Sequence, residues 1–343
     1  MPKNSKQSLS SLSPLFRRPG RVIAALLVTV LLLISVLLAF ASIYSMAYQS
    51  EDRLQARPES GVYVDAGDSR VFVQSMGARD APAVVFIHGT GAWSEIWRAS
   101  MKLAAQQGYH AIAIDLPPFG YSVPPASGKY DKGMQAQRIL AALDSMGIRK
   151  AVFVSHSIGS APLMEALLRE PQRVDKLILV CAALGLDSPQ TDGADTGLQS
   201  ALRHQWLAQT LSAALLTNPA FTSTLMKSFV SEKEKVTPEW VETYQKPLSL
   251  SGTYQAVALW LPELLAARGT WQSDRLESYR AIRFPVQLIW GQQDTITPMA
   301  QAEHLRALIP GAQLSVIPGS GHVPMVEEPQ AFQKLLASSL GQR

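Results

Sequence analysis

Among 343 residues there is a single cysteine, Cys181. No intrachain disulfide can form, and a thiolate metal cluster has no members to draw on. The six histidines include no H-E-x-x-H pair, so neither a catalytic metal nor a cofactor is expected. Acidic residues are missing from the N-terminus, where the first is Glu51, and charge of either sign is missing from 22–47. Lys3, Lys6, Arg17, Arg18 and Arg21 more than account for the net charge of +4. The rest of the chain lacks the basic stripe that a nucleic-acid surface requires, so no nucleic-acid partner is expected.

The uncharged stretch contains VIAALLVTVLLLISVLLAF, close to the roughly 20 apolar residues that span a bilayer as a helix. Thr29 and Ser35 are its only polar breaks before Ser42, whereas a buried core helix of this length carries a polar face. These features divide the chain into a basic cytoplasmic tail (1–21), a transmembrane signal anchor (22–47) and a globular part. Five cations before the span, and the mixed charges Glu51, Asp52 and Arg53 after it, orient the N-terminus to the cytoplasm and the globular part to the other side. Ala39-Phe40-Ala41 has the small-x-small form of a cleavage site, so the competing expectation is a secreted or periplasmic protein cut near Ala41. The long n-region and the length of the apolar core favour a retained anchor.

In the globular part, 61–65 and 71–75 read as a hairpin around Ala66-Gly67-Asp68-Ser69. Six further runs, 83–87, 111–114, 151–154, 177–180, 286–289 and 314–317, are rich in β-branched residues and do not alternate, as in strands buried on both faces. Helical stretches such as 134–146, 161–170 and 300–309 lie between them, which predicts a doubly wound, mostly parallel α/β sheet. From about 184 to 279 the alternation stops. Leu198, Leu202, Trp206, Leu207, Leu211 and Leu215 recur at helical spacing, and Thr237-Pro238 makes a capped helix start, so this interval reads as a helical insertion. Its tryptophans, Trp206, Trp240, Trp260 and Trp271, either build the insertion's own core or line an apolar pocket beneath it.

Ser155-His156-Ser157-Ile158-Gly159 sits between a buried strand and a helix, where a tight turn would push the Ser157 hydroxyl out above the sheet. Gly291-Gln292-Gln293-Asp294 follows the strand at 286–289, and Gly319-Ser320-Gly321-His322 follows the one at 314–317. Serine, acid and histidine thus come in chain order, each after its own strand. On these motifs the chain, from Gly61 onward (domain 58–343), resembles the α/β-hydrolase family, in its serine-triad branch with a helical cap inserted after the sixth strand. The resemblance implies Ser157 as nucleophile, His322 as general base and then acid, and Asp294 as its orienting carboxylate. His88-Gly89-Thr90-Gly91 is similar to the family's oxyanion loop, which assigns the oxyanion donors to the N–H groups of Thr90 and Ile158. Ser155 and Pro118 stand where glycine is more common in the family. His88, His156 and the segment 115–122 read as structural.

Trp93 and Trp97, which follow the oxyanion loop, are expected to bind substrate. The expected activity is hydrolysis of a carboxylic ester of an apolar small molecule through an acyl-enzyme. The same triad also serves carbon–carbon bond hydrolases, thioesterases and acyltransferases, and a non-catalytic binding protein could keep the fold.

Overall fold

The computed structural model describes residues 19–186, 197–265, 269 and 271–341. Most of the basic tail and the start of the insertion lie outside them. Eight strands form one sheet: β1 (Gly61–Asp65), β2 (Arg70–Met76), β3 (Ala83–Ile87), β4 (His110–Ile114), β5 (Ala151–His156), β6 (Val174–Val180), β7 (Val286–Gly291) and β8 (Gln313–Ile317). Their order is β1-β2-β4-β3-β5-β6-β7-β8. The β1–β2 and β2–β4 pairs are antiparallel and every other pair is parallel.

The helices, in chain order, are α1 (Pro19–Tyr48), α2 (Arg98–Gln106), α3 (Lys132–Ser145), α4 (Ser160–Arg169), α5 (Gly197–Leu202), α6 (Gln205–Leu211), α7 (Pro219–Phe229), α8 (Pro238–Gln245), α9 (Thr253–Leu264), α10 (Leu276–Arg280), α11 (Met299–Leu308), α12 (Pro324–Glu327) and α13 (Pro329–Gly341). Alternate residues of one strand feed two cores. Val85 and Ile87 of β3 pack with residues of α3, α4 and α11, whereas Val84 and Phe86 pack with residues of α2 and α13. Burial on both faces is why these strands show no polar alternation.

α5 to α9 form the insertion between β6 and β7. Two of its helix starts follow from side-chain capping. Thr237 Oγ1 accepts from the Trp240 N–H ahead of Pro238, and Asn218 Oδ1 accepts from the Ala220 N–H ahead of Pro219. The Trp93 indole N–H reaches across to the Thr243 carbonyl at 2.8 Å and ties the insertion to the sheet domain.

Residues 22–48 of α1 form a helix long and apolar enough to cross a membrane. Its last turns do not stand free. Ser42, Ser45 and Gln49, at helical spacing, are buried against the insertion. Ser42 donates to Thr210 O (3.2 Å), Ser45 to Thr217 O (3.2 Å) and Gln49 to Thr217 Oγ1 (3.1 Å), while Asn218 donates back to Ala41 O (3.1 Å). Just beyond the helix, Glu51 exchanges backbone bonds with Ser249 and Ser251, and buried Arg53 donates to Gly120 O and Thr253 Oγ1. Residues 49–53, which the sequence assigns to neither anchor nor domain, are therefore bonded into the globular unit.

Candidate active site

β5 ends at His156, and the next residue, Ser157, has φ 51°. This is the left-handed region, unfavourable for a residue with a side chain, and it turns the chain sharply into α4. The turn fits only because its neighbours are small. A Cβ on Gly159 would run into the His88 carbonyl, and one on Gly89 would lie 2.9 Å from Ser157 Cβ and 2.7 Å from His156 Nδ1. The loop after β3 is thus packed backbone-first against the serine turn, with Thr90 and Ile158 on the two facing segments.

Ser157 Oγ is 2.8 Å from His322 Nε2, and His322 Nδ1 is 2.9 Å from Asp294 Oδ2. All three are buried. Asp294 also accepts from Thr297 Oγ1 (2.7 Å) and from the N–H groups of Ile296 and Thr297 (2.8 and 2.9 Å). Burial alone would raise its pKa. The His322 bond and charge, with the Thr297 donors, more than offset that and hold Asp294 below the usual carboxylate range. An ionised Asp294 requires the proton on His322 Nδ1, which leaves Nε2 as the acceptor facing the serine hydroxyl. Such a chain can take a proton from the serine as its oxygen attacks a carbonyl.

The histidine loop is clamped by a residue that sequence reading passed over. Buried Glu327 accepts from Gly321 N (2.9 Å), Val323 N (3.0 Å) and, across from the insertion, Ser231 N (2.7 Å) and Ser231 Oγ (2.8 Å). The His322 N–H donates to Phe229 O at the end of α7. An acid five residues after the histidine was the available signal. Cys181 lies beside Asp294 and His322. Burial first, and then the Asp294 charge, pushes its thiol further up, so it stays protonated.

The other two histidines near the serine are spacers held neutral. His88 Nε2 accepts from the Leu116 N–H (2.8 Å), so its Nδ1–H donates to Gly89 O (2.8 Å). His156 Nε2–H donates to His322 O (2.8 Å). Burial lowers His88 to about 4 and His156 to about 3, from an ordinary 6.5. Below pH 6.5 the unfolded chain binds protons that the folded one refuses. Their contribution to stability is therefore full above pH 6.5 and is lost as pH falls toward 4, at about 1.4 kcal/mol per pH unit for each histidine. Urea unfolding of His156→Gln between pH 7 and pH 5 should show a loss of stability smaller than the parent's by about 2 kcal/mol over the interval. An equal slope would contradict a neutral His156.

Two cavities flank the serine. One is lined by His88, Gly89, Tyr130, Lys132, Gln135 and Ile158 among others, and the second by Thr90, Leu216, Leu225, Met226, Phe229 and Val257 among others. Phe119 and Trp260 line both, packed edge to face with centroids 4.9 Å apart, and so stand at the boundary. Trp93 and Trp97, expected to bind substrate, line neither. Trp97 is fully buried between Phe86 and Phe332, and Trp93 packs on Tyr121 with its N–H bound to Thr243. Their nearness in sequence to the loop was misleading, because the chain turns away from the site after Gly91 and buries both rings in the core. Of the insertion's tryptophans, Trp260 lines both cavities at the serine. Asp115 is a brace: its carboxylate accepts from Ser94 N and Tyr121 N at 2.6 and 2.7 Å.

A hydrogen-bonded serine, histidine and carboxylate on loops after parallel strands, under a helical insertion, is the arrangement of a serine hydrolase. Residues 82–329 match the family model described as alpha/beta hydrolase fold, and the chain belongs to that family. It is 28% identical over 297 residues to a 2-hydroxymuconate semialdehyde hydrolase of Pseudomonas sp., covering 84% of this chain and 96% of that one. Among solved structures it is similar to a 2-hydroxy-6-oxo-6-phenylhexa-2,4-dienoate hydrolase from Rhodococcus (TM-score 0.65, 22% identity, 81% of this chain and 97% of that one). It is also similar to a carboxylesterase from Bacillus subtilis (TM-score 0.66, 17% identity, 89% and 98%). The two structural likenesses speak to the fold.

Proposed function

We propose that the chain is a membrane-anchored serine esterase, acting on an uncharged carboxylic ester with an apolar acyl part. The observation that carries the chemistry is the continuous bond chain from Asp294 through His322 to a strained Ser157. Ser157 Oγ attacks the carbonyl carbon while its proton passes to His322 Nε2, and Asp294 stabilises the imidazolium. The N–H groups of Thr90 and Ile158 hold the oxyanion. His322 returns the proton to the leaving alcohol, and water then repeats the sequence on the acyl-enzyme. The basic tail stays in the cytoplasm and the catalytic domain lies on the far side of the membrane.

Charge at the site favours an ester over the relatives' substrates. Their names denote acids of the 2,4-dienoate kind, whose carboxylate, once out of water, is best held by a cation or by several N–H or O–H donors. Among the described residues lining the two cavities, Lys132 alone carries a permanent positive charge, and its ammonium is already paired with buried Asp274. Glu263, at the same cavity, pairs with Arg203. Carbon–carbon bond hydrolysis is the second reading, favoured by the 28% identity over nearly the full length of the Pseudomonas enzyme. The test is turnover of p-nitrophenyl esters of graded acyl length beside a 2-hydroxy-6-oxo-2,4-dienoate, with Ser157→Ala as control. Serine-dependent ester turnover at least tenfold above dienoate turnover is expected, and the reverse preference would replace the esterase reading.

A further inference from the structure

The insertion carries an apolar surface where the anchor helix meets it. Leu198 on α5, Trp206 on α6, Leu215 in the turn after it and Phe221 on α7 are 61%, 71%, 44% and 41% exposed. Three of these four, Leu198, Trp206 and Leu215, belong to the stripe that helical spacing picks out of the sequence, yet they face outward. No Asp, Glu, Lys or Arg occurs between His204 and Lys227. Patches of this kind on a folded protein mark a contact surface.

The anchor helix identifies the contact. A hydrocarbon core takes about 20 helical residues to cross, so a span beginning at Val22 reaches the far boundary near Ala41. From there α1 is bonded to the insertion: Ala41 and Ser42 to Asn218 and Thr210, and Ser45 and Gln49 to Thr217. Trp206 lies four residues before Thr210 on the same helical run, Leu215 two before Thr217, and Phe221 three after Asn218. The residues bonded to the emerging helix fix the insertion at the level of the membrane surface, where aromatic and aliphatic side chains on an uncharged segment partition. The cavities open onto the same elements. Thr217 forms part of the wall of the apolar cavity, and a groove along α6, lined by Leu202, Arg203, Gln205 and Gln209 with Lys129 and Asp131, shares Tyr130 and Glu263 with the first cavity.

We propose that the face bearing Leu198, Trp206, Leu215 and Phe221 rests in the bilayer interface beside the anchor, and that the site draws a single-chain, membrane-dissolved ester from that bilayer. The substrate class rests on the esterase reading; the docking does not.

The test uses the full chain reconstituted in phosphatidylcholine vesicles. Two substrates are compared, water-soluble p-nitrophenyl butyrate and p-nitrophenyl palmitate dissolved in the vesicles. Replacing the four residues together (Leu198→Ser, Trp206→Ser, Leu215→Ser, Phe221→Ser) is expected to cut palmitate turnover tenfold or more and leave butyrate turnover within twofold. Equal retention of both would overturn the supply of substrate from the bilayer. Independently of any turnover, phosphatidylcholine with brominated chains should quench part of the parent's tryptophan emission, and Trp206→Phe should lose that part. Quenching unchanged by Trp206→Phe would overturn the docking, even where the fourfold variant fails to fold. A parent that hydrolyses neither ester, with Trp206 quenched, would sink the esterase reading and the substrate class while leaving the docked face standing.

Discussion

Replacing Ser157 by alanine should lower turnover by about 10⁶-fold and abolish labelling by a fluorophosphonate, with the fold intact. Labelling needs a serine oxygen whose proton has somewhere to go, and Ser157 Oγ faces His322 Nε2 at 2.8 Å, whereas Ser155 Oγ is turned into a bond with Ser160 Oγ at 2.9 Å. The neighbouring serines therefore offer no substitute. Alanine also has less to lose from the φ of 51° than larger residues do, so thermal unfolding should move little. Because the serine and histidine act in one proton transfer, adding His322→Ala to Ser157→Ala should cost nearly nothing more, leaving a residual rate from the oxyanion donors and binding. A Ser157→Ala protein that still reacts with the probe, or a double variant far below the single, would break the proposed roles. Single-turnover rates and probe labelling on the two variants decide it.

The central strands β3 to β7 were legible because each is a short apolar run buried over most of its length, and the serine, acid and histidine because each follows a strand that the sequence marks, although β8 ahead of the histidine is a half-exposed edge strand. What the sequence concealed was where side chains point. Trp93 and Trp97 are as apolar as Trp260, and only the path of the chain after Gly91 decides that the first two fill the core while the third lines a cavity. Ser42, Ser45 and Gln49 did carry a readable signal, a polar stripe at helical spacing closing an apolar span, but a polar residue near a membrane boundary is ordinary and the stripe has meaning only once Thr217 is opposite it. Glu327 shows the same limit. Its four donors come from the histidine loop and from Ser231, 96 residues away in sequence, a juxtaposition that no local pattern encodes.

Asp294→Asn should leave the site's shape nearly unchanged and still lower kcat by about 10⁴-fold. The asparagine oxygen can take over one set of acceptor bonds, from Ile296 N and Thr297 N at Oδ1. Its amide nitrogen then faces His322 Nδ1 as a donor, so the imidazole must present Nδ1 as acceptor and carry its proton on Nε2, pointing at Ser157. In that tautomer the ring cannot receive the serine proton. Thr297 Oγ1, now facing an N–H across a contact of 2.7 Å, can stay in place by accepting from it and turning its own proton to the Cys181 carbonyl at 3.3 Å. Loss of the carboxylate further removes the charge that stabilises the imidazolium in the transition state. The signature separating this from simple unfolding is a kcat that recovers as pH rises, because hydroxide can take the serine proton that the histidine no longer can. A KM within a few-fold of the parent should accompany it, since neither cavity is touched. A kcat lowered by less than tenfold would show that Asp294 orients no catalytic proton, and Thr297 and the backbone would have to be credited with holding His322 unaided.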